Sequence, residues 1–176
     1  MDTTSHKSAL DTEAIRAAAR NLDDGAVTEG YAGNRAEIID MLNGALATEL
    51  VCILRYKRHY YTIDGPQNAA IKAEFLEHAG EEEAHANMIA ERIVQLNGSP
   101  DFNPANLEQR SHAEYDDSTD AQAMVKANLI AERVAIEAYR QMIAKIGDSD
   151  PTTKAMLVHI MAEEEEHADD MRDMMQ

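Results

Sequence analysis

Apolar residues recur at intervals of three and four along four long stretches of this chain, and turn-forming residues separate the stretches. The first runs from about Asn34 to Ile63, with Leu42, Leu46, Glu49, Ile53, Tyr56, Tyr60 and Ile63 on one face. Asp64-Gly65-Pro66 ends it and opens the next, since Gly closes helices and Pro suits a first turn. The second continues to about Asn97 and aligns Ile71, Phe75, His78, Glu82, His85, Ile89, Ile93 and Leu96 before Gly98-Ser99-Pro100 stops it. The third covers about Thr119 to Ile146, with Val125, Asn128, Glu132, Ile136, Tyr139, Ile143 and Ile146 in line. Gly147 ends that one. Ser149-Asp150-Pro151 then reads as a cap and first-turn proline for a fourth helix running nearly to Gln176.

The connections set the topology. Short turns make antiparallel hairpins of helices one and two and of helices three and four. Between the hairpins lies a polar segment of about 20 residues, near 98–118, long enough to run the length of a bundle. The expectation is an all-α fold: a four-helix bundle over 34–176, built from two hairpins and one long crossover. Residues 1–33 form an N-terminal extension in which Leu10, Ile15, Ala18 and Leu22 suit a short amphipathic helix. That helix would dock on the bundle or on a neighbouring subunit, with mobile residues ahead of it.

Composition narrows the possibilities. Across 176 residues, 33 acidic side chains face 16 basic ones, a formal net charge of −17. A chain so acidic, extension included, is not expected to bind nucleic acid directly or to sit on an anionic membrane. Cys52 is the single cysteine, which excludes disulfide frameworks and cysteine-rich metal sites. The longest apolar run, Leu50 to Leu54, falls far short of a membrane span, and no secretory signal opens the chain, so a cytoplasmic protein is expected. Cys52 and the methionines Met171, Met174 and Met175 read as packing residues.

Each helix interrupts its apolar stripe with groups that resist burial. Helices one and three carry Glu49 and Glu132; helices two and four carry Glu82 with His85 and Glu164 with His167. A Glu-x-x-His pair shares one helical face. Chance supplies about one such pair in a chain this rich in Glu, so the motif alone decides nothing. Position decides more. Glu49 and Glu82 lie level across the Gly65–Pro66 turn, and Glu132 and Glu164 across Gly147-Asp148, each about 24 Å from its turn. The halves also repeat: Glu49 to Lys57 matches Glu132 to Arg140, and Glu81 to Ala86 matches Glu163 to Ala168. Packed as a bundle, the hairpins bring four glutamates and two histidines to mid-height of one core.

Buried carboxylates demand a compensating charge. Two divalent ions would balance four carboxylates, and carboxylate with imidazole suits Fe or Mn better than Ca or Mg. A single zinc would strand some of the carboxylates. In this arrangement Glu82 and Glu164 bridge, Glu49 with His85 completes one metal, and Glu132 with His167 the other. Tyr56 and Tyr139, two turns beyond Glu49 and Glu132, are placed either to hydrogen-bond these carboxylates or simply to pack. His78 has no counterpart in the other half and reads as packing or as a neighbour of the ligands.

Over roughly residues 35–172 this pattern resembles the bacterioferritin branch of the ferritin-like proteins, with Glu49, Glu82, His85, Glu132, Glu164 and His167 all matching its ligand positions. The resemblance implies a ferroxidase: two Fe ions per subunit, with Mn or Zn as substitutes, oxidised by O2 or H2O2 and stored as Fe(III) in a homo-oligomeric cage. Two departures qualify it. Glu83 stands where bacterioferritins typically have a haem-ligating Met, so haem is not expected by that route. The chain also stops nine residues after His167, short of a fifth helix, which favours a Dps-like cage of 12 subunits over one of 24. Dps proteins build their sites between subunits, whereas this ligand set fits within one chain. The same bundle hosts manganese catalases, rubrerythrin-type peroxidases and di-iron oxygenases, and a non-catalytic acidic metal-binding bundle is the remaining alternative.

Overall fold

A computed structural model describes residues 10–175, and the expectation for residues 1–9 lies outside that range. The order of elements is α1 (Thr12–Ala18), α2 (Arg35–Thr62), a single 3-10 turn (Pro66–Asn68), α3 (Ala69–Gln95), α4 (Leu107–Arg110), α5 (Ala121–Ile146) and α6 (Pro151–Asp173). Among the described residues there is no strand. The long helices begin and end where capping chemistry directs. Asn34, Asp120 and Asp150 each accept a hydrogen bond from a first-turn backbone N–H, and Pro151 follows its cap directly. Gly65 at φ +92° turns the chain between α2 and α3, and Gly147 at φ +56° ends α5.

The bundle is two hairpins, α2 with α3 and α5 with α6, packed through α2 against α5 and α3 against α6. The crossover is a strap laid along α2. Asp101 N–H donates to Asn43, His112 N–H to Thr48, Arg55 to the Glu114 carbonyl, and His59 meets Asp116, in the same order along both segments. Four residues of this strap coil into α4, which packs on α2. Two large apolar clusters fill the interior, and a small third one joins Cys52, Ala113 and Ala131 under the strap. Leu42, Leu46, Ile89, Ile93, Leu157 and Ile160 belong to one large cluster, and Tyr56, Phe75, Met124, Val125 and Met171 to the other. Between them, at mid-height, lies a belt of buried polar side chains.

The extension divides in two. Residues 24–33 seal one end of the bundle: Val27 joins the core, Tyr31 donates to Asp150 at 2.8 Å, and Asp24 takes Arg35 and Asn97 at 3.0 Å each. Helix α1 is shorter than its pattern suggests and buries none of its residues. Leu10, Ile15 and Leu22 are exposed and Ala18 half-buried, so the apolar face of this helix is not buried against the bundle. Among the described residues, no helix is long and apolar enough to cross a membrane.

Candidate metal centre

The polar belt assembles from all four long helices. Glu49 comes from α2, Glu82 and His85 from α3, Glu132 from α5, and Glu164 and His167 from α6; all six are buried. Their ligand-type atoms fall into two groups, each within 4.8 Å: Glu49, Glu82, His85 and Glu164 in one, Glu82, Glu132, Glu164 and His167 in the other. Glu82 and Glu164 belong to both. His85 Nδ1 lies 3.4 Å from Glu49, 3.4 Å from Glu82 and 3.3 Å from Glu164. His167 Nδ1 lies 3.3 Å from Glu164 and 3.8 Å from Glu132.

Partners outside this cluster fix its side chains, and each brace crosses from one hairpin to the other. The Tyr56 hydroxyl of α2 donates to Glu132 of α5 at 2.5 Å, and the Tyr139 hydroxyl of α5 donates to Glu49 of α2. His85 Nε2 of α3 meets Glu163 of α6 at 2.9 Å, and His167 Nε2 of α6 meets Glu81 of α3 at 2.9 Å. An imidazole that donates through Nε2 to a carboxylate keeps its Nδ1 lone pair for the interior. Reasoning from the sequence placed Glu81 and Glu163 in the repeat but gave them no role. Their signal was present: each directly precedes a cluster glutamate at the same point of both halves.

Sequence reasoning also missed Arg55. It is fully buried, donates from Nε to Asn128 Oδ1 at 2.7 Å, and brings Nη2 to 3.9 Å from Glu132. Asn128 in turn meets His59, and His59 meets Asp116 of the strap. Cys52 lies 3.4 Å from the same guanidinium, and burial pushes its thiol well up.

The cluster is short of partners at its centre. Glu49 Oε2, Glu82 Oε1, Glu132 Oε2, both oxygens of Glu164 and His167 Nδ1 are buried without a hydrogen bond. Such atoms are costly unless a cation joins them, so this donor set fits a pair of transition-metal ions. Without metal the residues respond by holding protons. Burial, with the charges of Glu164 and Glu49, pushes the Glu82 carboxyl well above its ordinary range. Burial likewise lifts Glu164 to about 7, helped by Glu49. Burial opposes the charged form of both histidines, yet their carboxylate partners outweigh it, raising His85 strongly and His167 to about 10. Glu132 moves the other way: burial would raise it, but His167 and Arg55 hold it at about 2.

Metal binding must displace these protons. At pH 7 each pair of ions should therefore release about three to four protons, from His85, His167 and Glu82 and in part from Glu164, and affinity should fall as pH drops. Zn(II) titration calorimetry in buffers of different ionisation enthalpy measures that number. Release of no protons would contradict this electrostatic picture.

Residues 39–176 match the model of the ferritin-like domain family, and the chain belongs to that family. Among solved structures it is similar to a dodecameric thioferritin, the bacterioferritin-related protein of Bacteroides fragilis. The two are 34% identical with a TM-score of 0.77, over 81% of this chain and 86% of that one. It also resembles the bacterioferritin of Desulfovibrio desulfuricans, 29% identical over 141 residues, which cover 77% of this chain and 75% of that protein. A nutrient stress-induced DNA-binding protein of Synechococcus is 27% identical over 136 residues, 76% of this chain and 77% of that protein.

Proposed function

We propose that this protein is a ferroxidase and iron-storage protein that takes Fe(II) in pairs at an intrasubunit site. Glu49, Glu82, His85, Glu132, Glu164 and His167 are the metal ligands in this reading, with Glu82 and Glu164 bridging. The observation that carries it is the convergence of unpartnered, buried carboxylate oxygens and an imidazole nitrogen between two apolar clusters. Two Fe(II) supply two electrons, enough to reduce O2 to H2O2 or H2O2 to water.

The chain's own residues do the rest. The four glutamates offset the charge of two divalent ions, and their hard carboxylate oxygens favour the ferric product over the softer ferrous ion. Tyr56 and Tyr139 hold the two terminal carboxylates at fixed angles through bonds to Glu132 and Glu49. Glu81 and Glu163 receive the outer N–H of His167 and His85, on the half-exposed rim of the site, where protons released on loading can pass to solvent. The large acidic excess attracts Fe(II) to the surface.

A homo-oligomeric cage stores the product in this reading, and twelve subunits are favoured because the Bacteroides relative is described as dodecameric. Direct binding to DNA, the property in the name of the Synechococcus relative, does not suit a chain whose net charge is −17. The test is anaerobic Fe(II) loading followed by O2 or H2O2, reading Fe(II) consumed, iron retained per assembly and assembly mass. Twelve copies of a 19.5 kDa chain should run near ~230 kDa and retain iron well beyond two ions per subunit. A monomer or dimer that turns over peroxide and retains no iron would establish the peroxidase or catalase reading instead.

A further inference from the structure

Beside the six-residue cluster, on the His167 side, three more ligand-type side chains meet: Glu74 and His78 of α3 and Asp170 of α6. The His78 side chain is only 2% exposed, while Glu74 is half-buried and Asp170 opens to solvent. Its ring stacks on His167 with centroids 4.1 Å apart. Its Nδ1 lies 3.1 Å from the Tyr56 hydroxyl, whose single proton already goes to Glu132. The Tyr56 oxygen can therefore only accept from His78, so Nδ1 carries the hydrogen. In the neutral ring Nε2 is then a bare lone pair, and it points between Glu74 Oε1 at 3.3 Å and Asp170 Oδ2 at 3.6 Å. Two carboxylates and an imidazole nitrogen thus bring three ligand-type atoms within 4.8 Å of one another.

The repeat shows that the bundle does not need these residues for packing. At the repeat offset of 82 residues, Glu74, His78 and Asp170 correspond to Met156, Ile160 and Met88. Ile160 is buried in the core and the two methionines pack against it. One half of the molecule fills this position with apolar side chains, and the other fills it with donors.

We propose that Glu74, His78 and Asp170 form a third site, open to solvent, for a divalent transition-metal ion beside the dinuclear cluster. Two carboxylates neutralise the ion, the imidazole selects a transition metal over Ca or Mg, and the exposed side leaves room for water ligands. Its role, which rests on the ferroxidase reading, is to hold incoming Fe(II) one imidazole away from the buried pair.

The probe is Co(II) without oxidant, bound to the full-length assembly. Stoichiometry is measured by equilibrium dialysis, and position by anomalous scattering from crystals. The wild type should bind about three Co(II) per subunit, with a peak among Glu74, His78 and Asp170. The double variant Glu74→Gln/Asp170→Asn, which touches none of the six cluster ligands, should bind about two and lose that peak alone. Glu82→Ala should do the reverse, weakening the pair and keeping the third ion. An empty third position beside a filled pair, or unchanged stoichiometry in the double variant, overturns this site and leaves the ferroxidase reading standing. A filled third position without the pair defeats the ferroxidase reading and leaves this site standing. With Fe(II) at limiting concentration the double variant should oxidise about tenfold more slowly; an unchanged rate after loss of the third ion overturns the entry role.

Discussion

Glu82→Gln should move activity and stability in opposite directions. Fe(II) oxidation should fall by at least about 100-fold, the upper end of what losing even an outer partner of a ligand costs. The proposed bridge would lose its charge, and the two ions their shared anion. The metal-free protein, in contrast, should melt at higher temperature. Glu82 is buried and its Oε1 has no partner, and burial with the neighbouring carboxylates raises its pKa. A carboxyl raised on folding contributes fully below about 4.5, its unfolded value, and that contribution is lost as pH climbs. Gln keeps the shape and removes the ionisation. Near pH 4.5 variant and wild type should therefore melt alike, and the variant should gain as pH rises to 7. A gain of ~1 kcal/mol corresponds to about 2–4 °C in a chain of this size. Calorimetric scans of metal-free protein at the two pH values read the difference. An equal or lower melting temperature at pH 7, or intact oxidation, would sink the assignment of Glu82 as a strained ligand awaiting metal.

Such opposed effects explain why the cluster could be read from the sequence. A side chain that destabilises the empty fold stands out against the stripe it interrupts, and Glu49, Glu82, Glu132 and Glu164 each interrupt one. Equal distances from the two turns placed them level, because rise per residue is fixed in a helix. The structure brings all six residues together. Which partner each would take was not readable, because it depends on how the hairpins pack. Spacing puts Tyr56 on the helix of Glu49, yet its hydroxyl reaches Glu132 on the opposite hairpin.

Two further features were hidden for different reasons. Arg55 lies off the apolar stripe of α2, one residue before Tyr56. It is buried because α2 has three neighbours, α3, α5 and the strap, and so covers more than the one stripe that periodicity reveals. Helix α1 fails in the opposite sense. Its apolar spacing correctly indicates a helix, but periodicity says nothing about whether a surface waits for that face.

Replacing Arg55 with Met should produce the largest loss of stability of any single change considered. Its guanidinium is fully buried and meets four groups at once: Asn128 Oδ1, the Glu114 carbonyl, Cys52 and the carboxylate of Glu132. Removal takes the Arg55 donor from a buried amide oxygen and from a strap carbonyl, and takes from Glu132 one of the two cations beside it, leaving His167. Breaking a buried charge pair by removing one partner costs about 3–5 kcal/mol, which lowers the melting temperature by roughly 6–20 °C here. Arg55→Lys should fall between, because the charge returns but the planar fork that serves Asn128 and Glu114 together does not. The acid limb should change as well. Glu132 is held at about 2, below its ordinary 4.5, so its contribution is complete above about 4.5 and lost as pH falls toward 2. Without Arg55 the folded value rises, so the contribution shrinks and is exhausted at higher pH. Melting curves of the metal-free Met and Lys variants between pH 3 and 7 test both parts. If the Met variant melts within about 3 °C of wild type, the network from Glu132 through Arg55 to the strap does not hold the fold together.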